Sequence, residues 1–188
     1  MKIILLDRDG VINQDSDKFV KSIDEFILIP GSVDAIANLS QAGFKVVVCT
    51  NQSGLGRGLF TMEALNEMHE KLHQSVEQAG GEVDVIMFCP HTAEANCLCR
   101  KPKPGMILDI CERFNVEDIS RVAMIGDSIR DLQAIDNVGG IPILVKTGNG
   151  KKTLAKETLP AGTLVFDDLL AASEYIIAYV QKVTASET

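Results

Sequence analysis

Carboxylates stand directly after two apolar segments of this chain. Asp7 and Asp9 follow an Ile-Ile-Leu-Leu run, and Asp127, with Asp131 in the same segment, follows a second apolar run. Buried carboxylates are costly unless a cation meets them. Hard carboxylate oxygens without a histidine suit Mg²⁺ better than a transition metal. We therefore predict that Asp7, Asp9 and Asp127 converge around a magnesium ion.

A phosphate group would give this magnesium site a purpose. Asp7 can attack phosphorus as a carboxylate nucleophile and form an aspartyl phosphate. Asp9 can protonate the leaving oxygen and later deprotonate the attacking water. Thr50, after a third apolar run, can supply hydrogen-bond donors to the transferring oxygens, and Lys101 can neutralise the remaining charge. Lys103 is the second choice for this cation.

A second cluster of ligand-type residues precedes Lys101. It follows the pattern C-x-H-x5-C-x-C. The four residues are Cys89, His91, Cys97 and Cys99. Three thiolates and one imidazole make a closed tetrahedral set, which predicts a structural Zn²⁺ that fixes the loop carrying Arg100 and Lys101. The alternative is a set of unrelated surface thiols, which we disfavour because exposed free thiols are a liability. His69 and His73 lack a third ligand nearby, so we interpret them as ordinary histidines.

Alternating strand and helix patterns must position these groups. Short runs rich in Val and Ile predict buried parallel strands at 2–6, 44–49, 83–88, 121–125, 141–145 and 163–166. Helical patterns lie at 32–42, 61–79, 104–114, 128–137 and 168–183. Ser32 and Thr61 are the predicted N-caps, and Gly43 and Gly80 the predicted C-terminal stops. The alternation predicts a doubly wound parallel α/β sheet, with its ligand site at the carboxyl ends of the strands.

Length and composition favour one soluble domain. The 188 residues, 46% of them hydrophobic, predict a single domain over residues 1–188. The net charge of −8 argues against a nucleic-acid partner, since only residues 100–103 form a dense basic group. No apolar run approaches the roughly 20 residues of a membrane span. We expect a cytoplasmic monomer without a signal peptide or a membrane partner.

Four ordered segments resemble the motifs of the haloacid dehalogenase superfamily of phosphatases. They read DRDG, VVVCTNQSG, CRKPKPGM and MIGDSIRDLQAI, and the resemblance covers nearly the whole chain. It implies a Rossmann-like core with Asp7 as nucleophile and Asp9 as acid and base. It also implies Thr50 and Lys101 as phosphoryl stabilisers, and Mg²⁺ held by Asp7, Asp127 and the backbone carbonyl of Asp9. The short connections between these motifs predict a capless, open site.

The zinc loop is typical of a small subgroup of this superfamily. The sequence is similar to D-glycero-D-manno-heptose 1,7-bisphosphate phosphatases, enzymes of lipopolysaccharide-core sugar synthesis. The resemblance implies removal of the C7 phosphate from a small phosphorylated sugar. Residues expected around the substrate are Asn51, Gln52, Ser53, Arg57 and Arg100.

Two alternative functions remain open. Histidinol-phosphate phosphatases have a similar zinc loop, although Ser53 and the Arg57-Gly58 pair favour the heptose enzymes. A non-catalytic phosphosugar-binding module is the other alternative, and the intact Asp7 and Asp9 speak against it.

Overall fold

Six parallel strands form one sheet in this computed structural model, which describes residues 1–186. The strands are β1 (Lys2–Leu6), β2 (Phe44–Asn51), β3 (Val85–Cys89), β4 (Ala123–Gly126), β5 (Ile141–Val145) and β6 (Leu164–Phe166). Their order across the sheet is β3-β2-β1-β4-β5-β6. The chain therefore leaves β1 toward one edge of the sheet and later returns to β4 on its other side. The carboxyl ends of β1 and β4 flank this reversal, which is where open α/β sheets bind ligands.

Helices cover both faces of the sheet. They are α1 (Ser32–Gln41), α2 (Ser53–Gly56), α3 (Met62–Gln78), α4 (Gly105–Arg113), α5 (Ile129–Asp136), α6 (Gly150–Lys156) and α7 (Leu169–Ser186). Residues of α1, α3 and α7 share one apolar cluster, to which β1 contributes Ile4 and Leu6. Residues of α4 and α5 share the other, to which β1 contributes Ile3 and Leu5. This alternation of side chains explains why β1 is apolar from Ile3 to Leu6.

The predicted helix ends are mostly confirmed. The hydroxyl of Thr61 accepts a hydrogen bond from the backbone N–H of Ala64 and caps α3. Gly43 and Gly80 follow α1 and α3 with φ of 82° and 77°, a left-handed conformation that favours glycine. The prediction of Ser32 as an N-cap is wrong, because its hydroxyl donates to the carbonyl of Ile12 at 2.8 Å instead.

All six predicted strands and five predicted helices are confirmed, with bounds that differ by at most three residues. Two short helices, α2 and α6, were not predicted. They have four and seven residues, too few for an apolar period to be recognised. Across the described chain, no helix is both long and apolar enough to cross a membrane.

Candidate active site

A cavity opens at the carboxyl ends of β1, β2 and β4. All four residues predicted to be catalytic line it, namely Asp7, Asp9, Thr50 and Lys101. The predicted magnesium ligand Asp127 lines it as well, from the end of β4. The parallel arrangement brings these residues together although they are up to 120 positions apart in the chain (127 − 7 = 120).

Lys101 is the buried cation of this cavity. Its Nζ lies 2.8 Å from Asp7 Oδ1 and 2.6 Å from Asp131 Oδ1, and it donates to the carbonyl of Cys49 at 2.7 Å. Burial alone would lower the pKa of Lys101, but the charges of Asp131 and Asp7 raise it. Lys103 does not line the cavity, since its Nζ bonds to the side chain and the carbonyl of Asn96.

The carboxylates around Lys101 differ in their electrostatics. Burial and the charge of Asp131 raise the pKa of Asp7 well above its usual value. Burial also acts on Asp131, but Lys101 and the hydrogen bonds from Ser128 hold the pKa of Asp131 below its usual value. Burial and Asp131 raise the pKa of Asp127 to about 7. Lys101 alone therefore does not keep all three carboxyl groups in their charged forms, and a further cation beside them would favour those forms.

The donor set of this cluster fits magnesium. Carboxylate oxygens of Asp7, Asp127 and Asp131 lie within 4.8 Å of one another, and hard oxygens are the ligands that Mg²⁺ prefers. Both oxygens of Asp131 are already engaged, Oδ1 by Lys101 and Oδ2 by the N–H and hydroxyl of Ser128. Asp131 is therefore better placed to hold Lys101 than to bind a metal. Ser128 is committed to the same contact.

Two glycines make room for the carboxylate of Asp127. A Cβ added to Gly10 would lie 2.1 Å from Asp127 Oδ2, and one added to Gly148 would lie 2.2 Å from it. Both glycines also have positive φ, 82° and 53°. Asp127 Oδ2 accepts a hydrogen bond from the backbone N–H of Asn149 at 2.7 Å. The backbone itself thus fixes this carboxylate, and sequence reasoning missed Gly148 and Asn149.

Three side chains donate to the carboxylate of Asp9, and of these Gln52 was predicted in the site, whereas Arg8 and Asn13 were not. The guanidinium of Arg8 donates to Asp9 Oδ1 and Oδ2 through Nη2 at 2.9 and 3.1 Å. Asn13 Nδ2 donates to Oδ1 at 2.9 Å, and Gln52 Nε2 donates to Oδ2 at 2.8 Å. Burial and the charge of Arg8 lower the pKa of His69 to about 4, so its ring is neutral beside this arginine. The sequence shows an arginine between the two aspartates, but its burial becomes visible only in the fold.

The residues that follow Thr50 bind other parts of the site. Asn51 exchanges two hydrogen bonds of 3.1 Å with the backbone N–H and carbonyl of Lys101. Gln52 Nε2 donates to Thr50 Oγ1 at 2.8 Å as well as to Asp9. Ser53 is buried, begins α2 and lines the cavity. The side chain of Asn51 therefore joins the end of β2 to the loop that carries Lys101.

Arginines lie at the rim of the cavity. Arg100 lines it and donates from Nη1 to the carbonyl of His91 at 3.2 Å. Arg130, on the first turn of α5, also lines it and was not predicted. Arg57 does not line it, and its Nη2 lies 4.0 Å from Glu94 Oε2 with the side chain 45% exposed. A role for Arg57 in substrate binding stays a prediction.

The four predicted zinc ligands form one cluster. Among Cys89, His91, Cys97 and Cys99, five pairs of Sγ and Nδ1 atoms lie 3.3 to 3.6 Å apart. A tetrahedral zinc with ligands at about 2.3 Å has edges of about 3.8 Å. The set therefore fits a closed Zn²⁺ site, and all four ligand atoms lie within 4.8 Å of one another. Within residues 1–186, His69 and His73 belong to no such cluster.

Comparisons with known proteins point to one family. Residues 8–139 match the family model for haloacid dehalogenase-like hydrolases. A D-glycero-beta-D-manno-heptose-1,7-bisphosphate 7-phosphatase from Neisseria meningitidis serogroup A is 62% identical over 179 residues, which are 94% of this chain and 95% of that protein. The protein of the same name from Pseudomonas aeruginosa is 51% identical over 175 residues, 93% of this chain and 97% of its own.

A solved structure is similar over the same length. It is the crystal structure of D,D-heptose 1,7-bisphosphate phosphatase from B. bronchiseptica complexed with magnesium and phosphate. Its TM-score is 0.93 at 55% sequence identity, and the match covers 95% of this chain and 99% of that one. Because the family model matches well over half of the sequence and these relatives match nearly all of it, the chain belongs to the haloacid dehalogenase-like hydrolase family.

Proposed function

We propose that this protein is a magnesium-dependent phosphatase that removes the C7 phosphate of D-glycero-β-D-manno-heptose 1,7-bisphosphate. The observation that carries this proposal is the buried Lys101, which bridges Asp7 and Asp131 beside Asp127 in an open cavity. That arrangement offers a nucleophile and a cation to one phosphoryl group. The names of relatives that are 51% to 62% identical support the choice of sugar.

Asp7 is the proposed nucleophile. Within the described chain, the contacts of the Asp7 carboxylate are made by Oδ1, which pairs with Lys101 and accepts a hydrogen bond from the backbone N–H of Arg8. Oδ2 is therefore the oxygen that attacks phosphorus. The new P–O bond forms as the bond between phosphorus and the C7 oxygen breaks, and Asp9 gives that oxygen a proton. Water then attacks phosphorus and passes a proton to Asp9, which releases phosphate and restores the carboxylate of Asp7.

The transferring phosphoryl group needs positive charge and donors around it. Lys101 and the hydroxyl of Thr50 supply these from the chain. Magnesium, which Asp7, Asp127 and the backbone carbonyl of Asp9 would hold, adds charge stabilisation of the phosphoryl oxygens when it is bound. Asp131 keeps Lys101 in place through its 2.6 Å contact.

The second phosphate of the substrate is the proposed handle. A phosphate on a primary carbon extends furthest from the sugar ring, so the C7 phosphate enters between Asp7 and Lys101. The retained phosphate then lies at the rim, where Arg100 and Arg130 line the cavity. An arginine fork suits a phosphate because it donates two parallel hydrogen bonds.

The remaining parts of the proposal concern the whole protein. We propose that residues 1–188 form a single catalytic domain that acts as a monomer in the cytoplasm, without nucleic-acid or membrane partners. Its zinc is structural, held by the cysteine and histidine cluster. Its product would enter the synthesis of lipopolysaccharide-core heptose.

A phosphate-release assay tests the proposal. We expect wild-type kcat/KM to be highest for heptose 1,7-bisphosphate among that sugar, fructose 1,6-bisphosphate and histidinol phosphate, and to be lost in EDTA. Asp7→Asn should abolish turnover with a near-wild-type melting temperature. Arg100→Ala should lower kcat/KM for the bisphosphates more than for an aryl phosphate, whereas Arg121→Ala, 86% exposed, is the matched control. A wild-type preference for histidinol phosphate would overturn the assignment.

A further inference from the structure

A fully buried arginine separates the two aspartates at the end of β1. The side chain of Arg8 is 0% exposed and does not line the cavity, whereas Asp7 and Asp9 on either side of it do. Its guanidinium contacts the carboxylate of Asp9, with Nε at 3.2 Å and Nη2 at 2.9 Å from Oδ1. A cation is buried at high cost unless it is paired, so this contact is the reason that Arg8 can lie in the core.

The core holds Arg8 from several sides. The ring centroid of Phe26 lies 5.5 Å from its guanidinium carbon, within the range of a cation–π contact. His69 on α3 places Nε2 at 3.4 Å from Nη1. A guanidinium can only donate, so this nitrogen of His69 is the acceptor. Neither neighbour lies on the cavity, which means that a substrate entering the site does not touch the support of Arg8.

The other contacts of Asp9 come from two directions. Asn13 is buried, lies outside the cavity and donates to Oδ1, the same oxygen that Arg8 contacts most closely. Gln52 lines the cavity and donates to Oδ2. A leaving oxygen that approaches Asp9 from the cavity can therefore displace the bond from Gln52, while Arg8 and Asn13 keep their hold from the core.

We propose that Arg8 is a positioning residue, which holds the Asp9 carboxylate from the core side so that Oδ2, the oxygen that Gln52 contacts from the cavity, meets the leaving oxygen. The inference rests on the proposed function, in which Asp9 gives one proton to the sugar oxygen as the P–O bond breaks and later takes one from water. Arg8 keeps all of its own protons in both steps. It acts only through geometry, and a misplacement of about 1 Å can cost roughly 100-fold in rate.

The dependence of rate on the leaving group tests this role. A primary alkyl phosphate needs a proton on its leaving oxygen, whereas 4-nitrophenolate leaves without one. We expect Arg8→Met to lower kcat/KM, which reports formation of the aspartyl phosphate, about 100-fold for the alkyl phosphate and by less than about threefold for 4-nitrophenyl phosphate. Arg8→Lys keeps the charge but loses the planar donors of the guanidinium, so the difference between the two substrates should be intermediate. Arg121→Met, a change in an exposed arginine, should alter neither rate.

Two further variants make the result decisive. Asn13→Ala leaves the buried charge pair in place. It should lower the rate for the alkyl phosphate about tenfold more than the rate for 4-nitrophenyl phosphate, even if Arg8→Met does not fold. Asp9→Asn should show the full difference between the two substrates, and this variant tests the proposed function itself. If Asp9→Asn slows the alkyl phosphate selectively and the Arg8 and Asn13 variants do not, the inference about Arg8 is wrong and the proposed function stands. No difference between the two substrates in Asp9→Asn would count against the acid role of Asp9, and the inference would fall with it.

Discussion

Replacing Lys101 by methionine would remove a cation that contacts both Asp7 and Asp131. Its Nζ lies 2.8 and 2.6 Å from their oxygens. At an effective dielectric constant of about 20, each contact is worth about 6 kcal/mol of Coulomb attraction before desolvation is counted. Desolvation of the buried ions offsets several kcal/mol for each one, so the net effect of the two contacts is much smaller than their sum. Removing one partner of a buried pair typically costs about 3–5 kcal/mol, and we expect that loss here.

The assay is chemical denaturation without added magnesium, with the zinc left in place, followed by thermal melting. For a chain of this length 1 kcal/mol corresponds to about 2–4 °C, so the melting temperature should fall by about 6–20 °C. Lys103→Met is the matched control, because the ammonium group of Lys103 makes an exposed contact with Asn96, and its change should stay within about 0.5 kcal/mol. A Lys101→Met variant within about 1 kcal/mol of wild type would refute the reasoning.

The pH dependence of this loss provides a second check. The native pKa of Asp7 is raised above the usual 3.8, so its contribution to stability is lost as the pH rises above that value. The native pKa of Asp131 is lowered, so its contribution is present above pH 3.8 and is lost as the pH falls. Without Lys101 the stabilising effect on Asp131 disappears and the penalty on Asp7 grows. The loss in free energy of unfolding caused by Lys101→Met should therefore be larger at pH 7 than at pH 4.

Two more predictions concern His69 and the zinc loop. The native pKa of His69, about 4, lies below its unfolded value of 6.5, so wild-type stability should fall by about 3 kcal/mol as the pH drops through that window. His69→Gln should flatten this fall in urea titrations, whereas His73→Gln should keep it, and equal slopes would contradict the argument. Elemental analysis should find about one zinc per chain, lost in Cys97→Ser/Cys99→Ser together with activity and thermal stability. Metal-free protein with full activity would rule out the structural role of zinc.

The sheet and the strand-end residues were predictable because both follow from local patterns. Runs such as residues 46–49 are apolar on both faces, as expected for a strand that helices cover on both sides. Once the strands are parallel, Asp7, Thr50 and Asp127 must meet at one edge. The zinc ligands were predictable for a similar reason, since all four lie within eleven residues of one loop.

The remaining features depend on contacts between distant segments. The hydroxyl of Ser32 has a choice between capping its helix and bonding the carbonyl of Ile12, and only the folded chain brings Ile12 near. The burial of Arg8 depends on Phe26 and His69, which come from a loop and a helix that no local pattern relates to β1. Arg130 was missed because its approach to the cavity depends on the direction of α5.

The space around Asp127 has a consequence for how sequences of this fold can vary. Gly10 and Gly148 are 138 positions apart (148 − 10 = 138), yet each excludes a side chain because of the same carboxylate oxygen. A substitution at either glycine is therefore not independent of position 127, and since Asp127 is a proposed magnesium ligand, a smaller residue there would make room only at the cost of the metal site. In a library that randomises positions 10, 127 and 148 together, selection for phosphatase activity should recover glycine, aspartate and glycine at these positions.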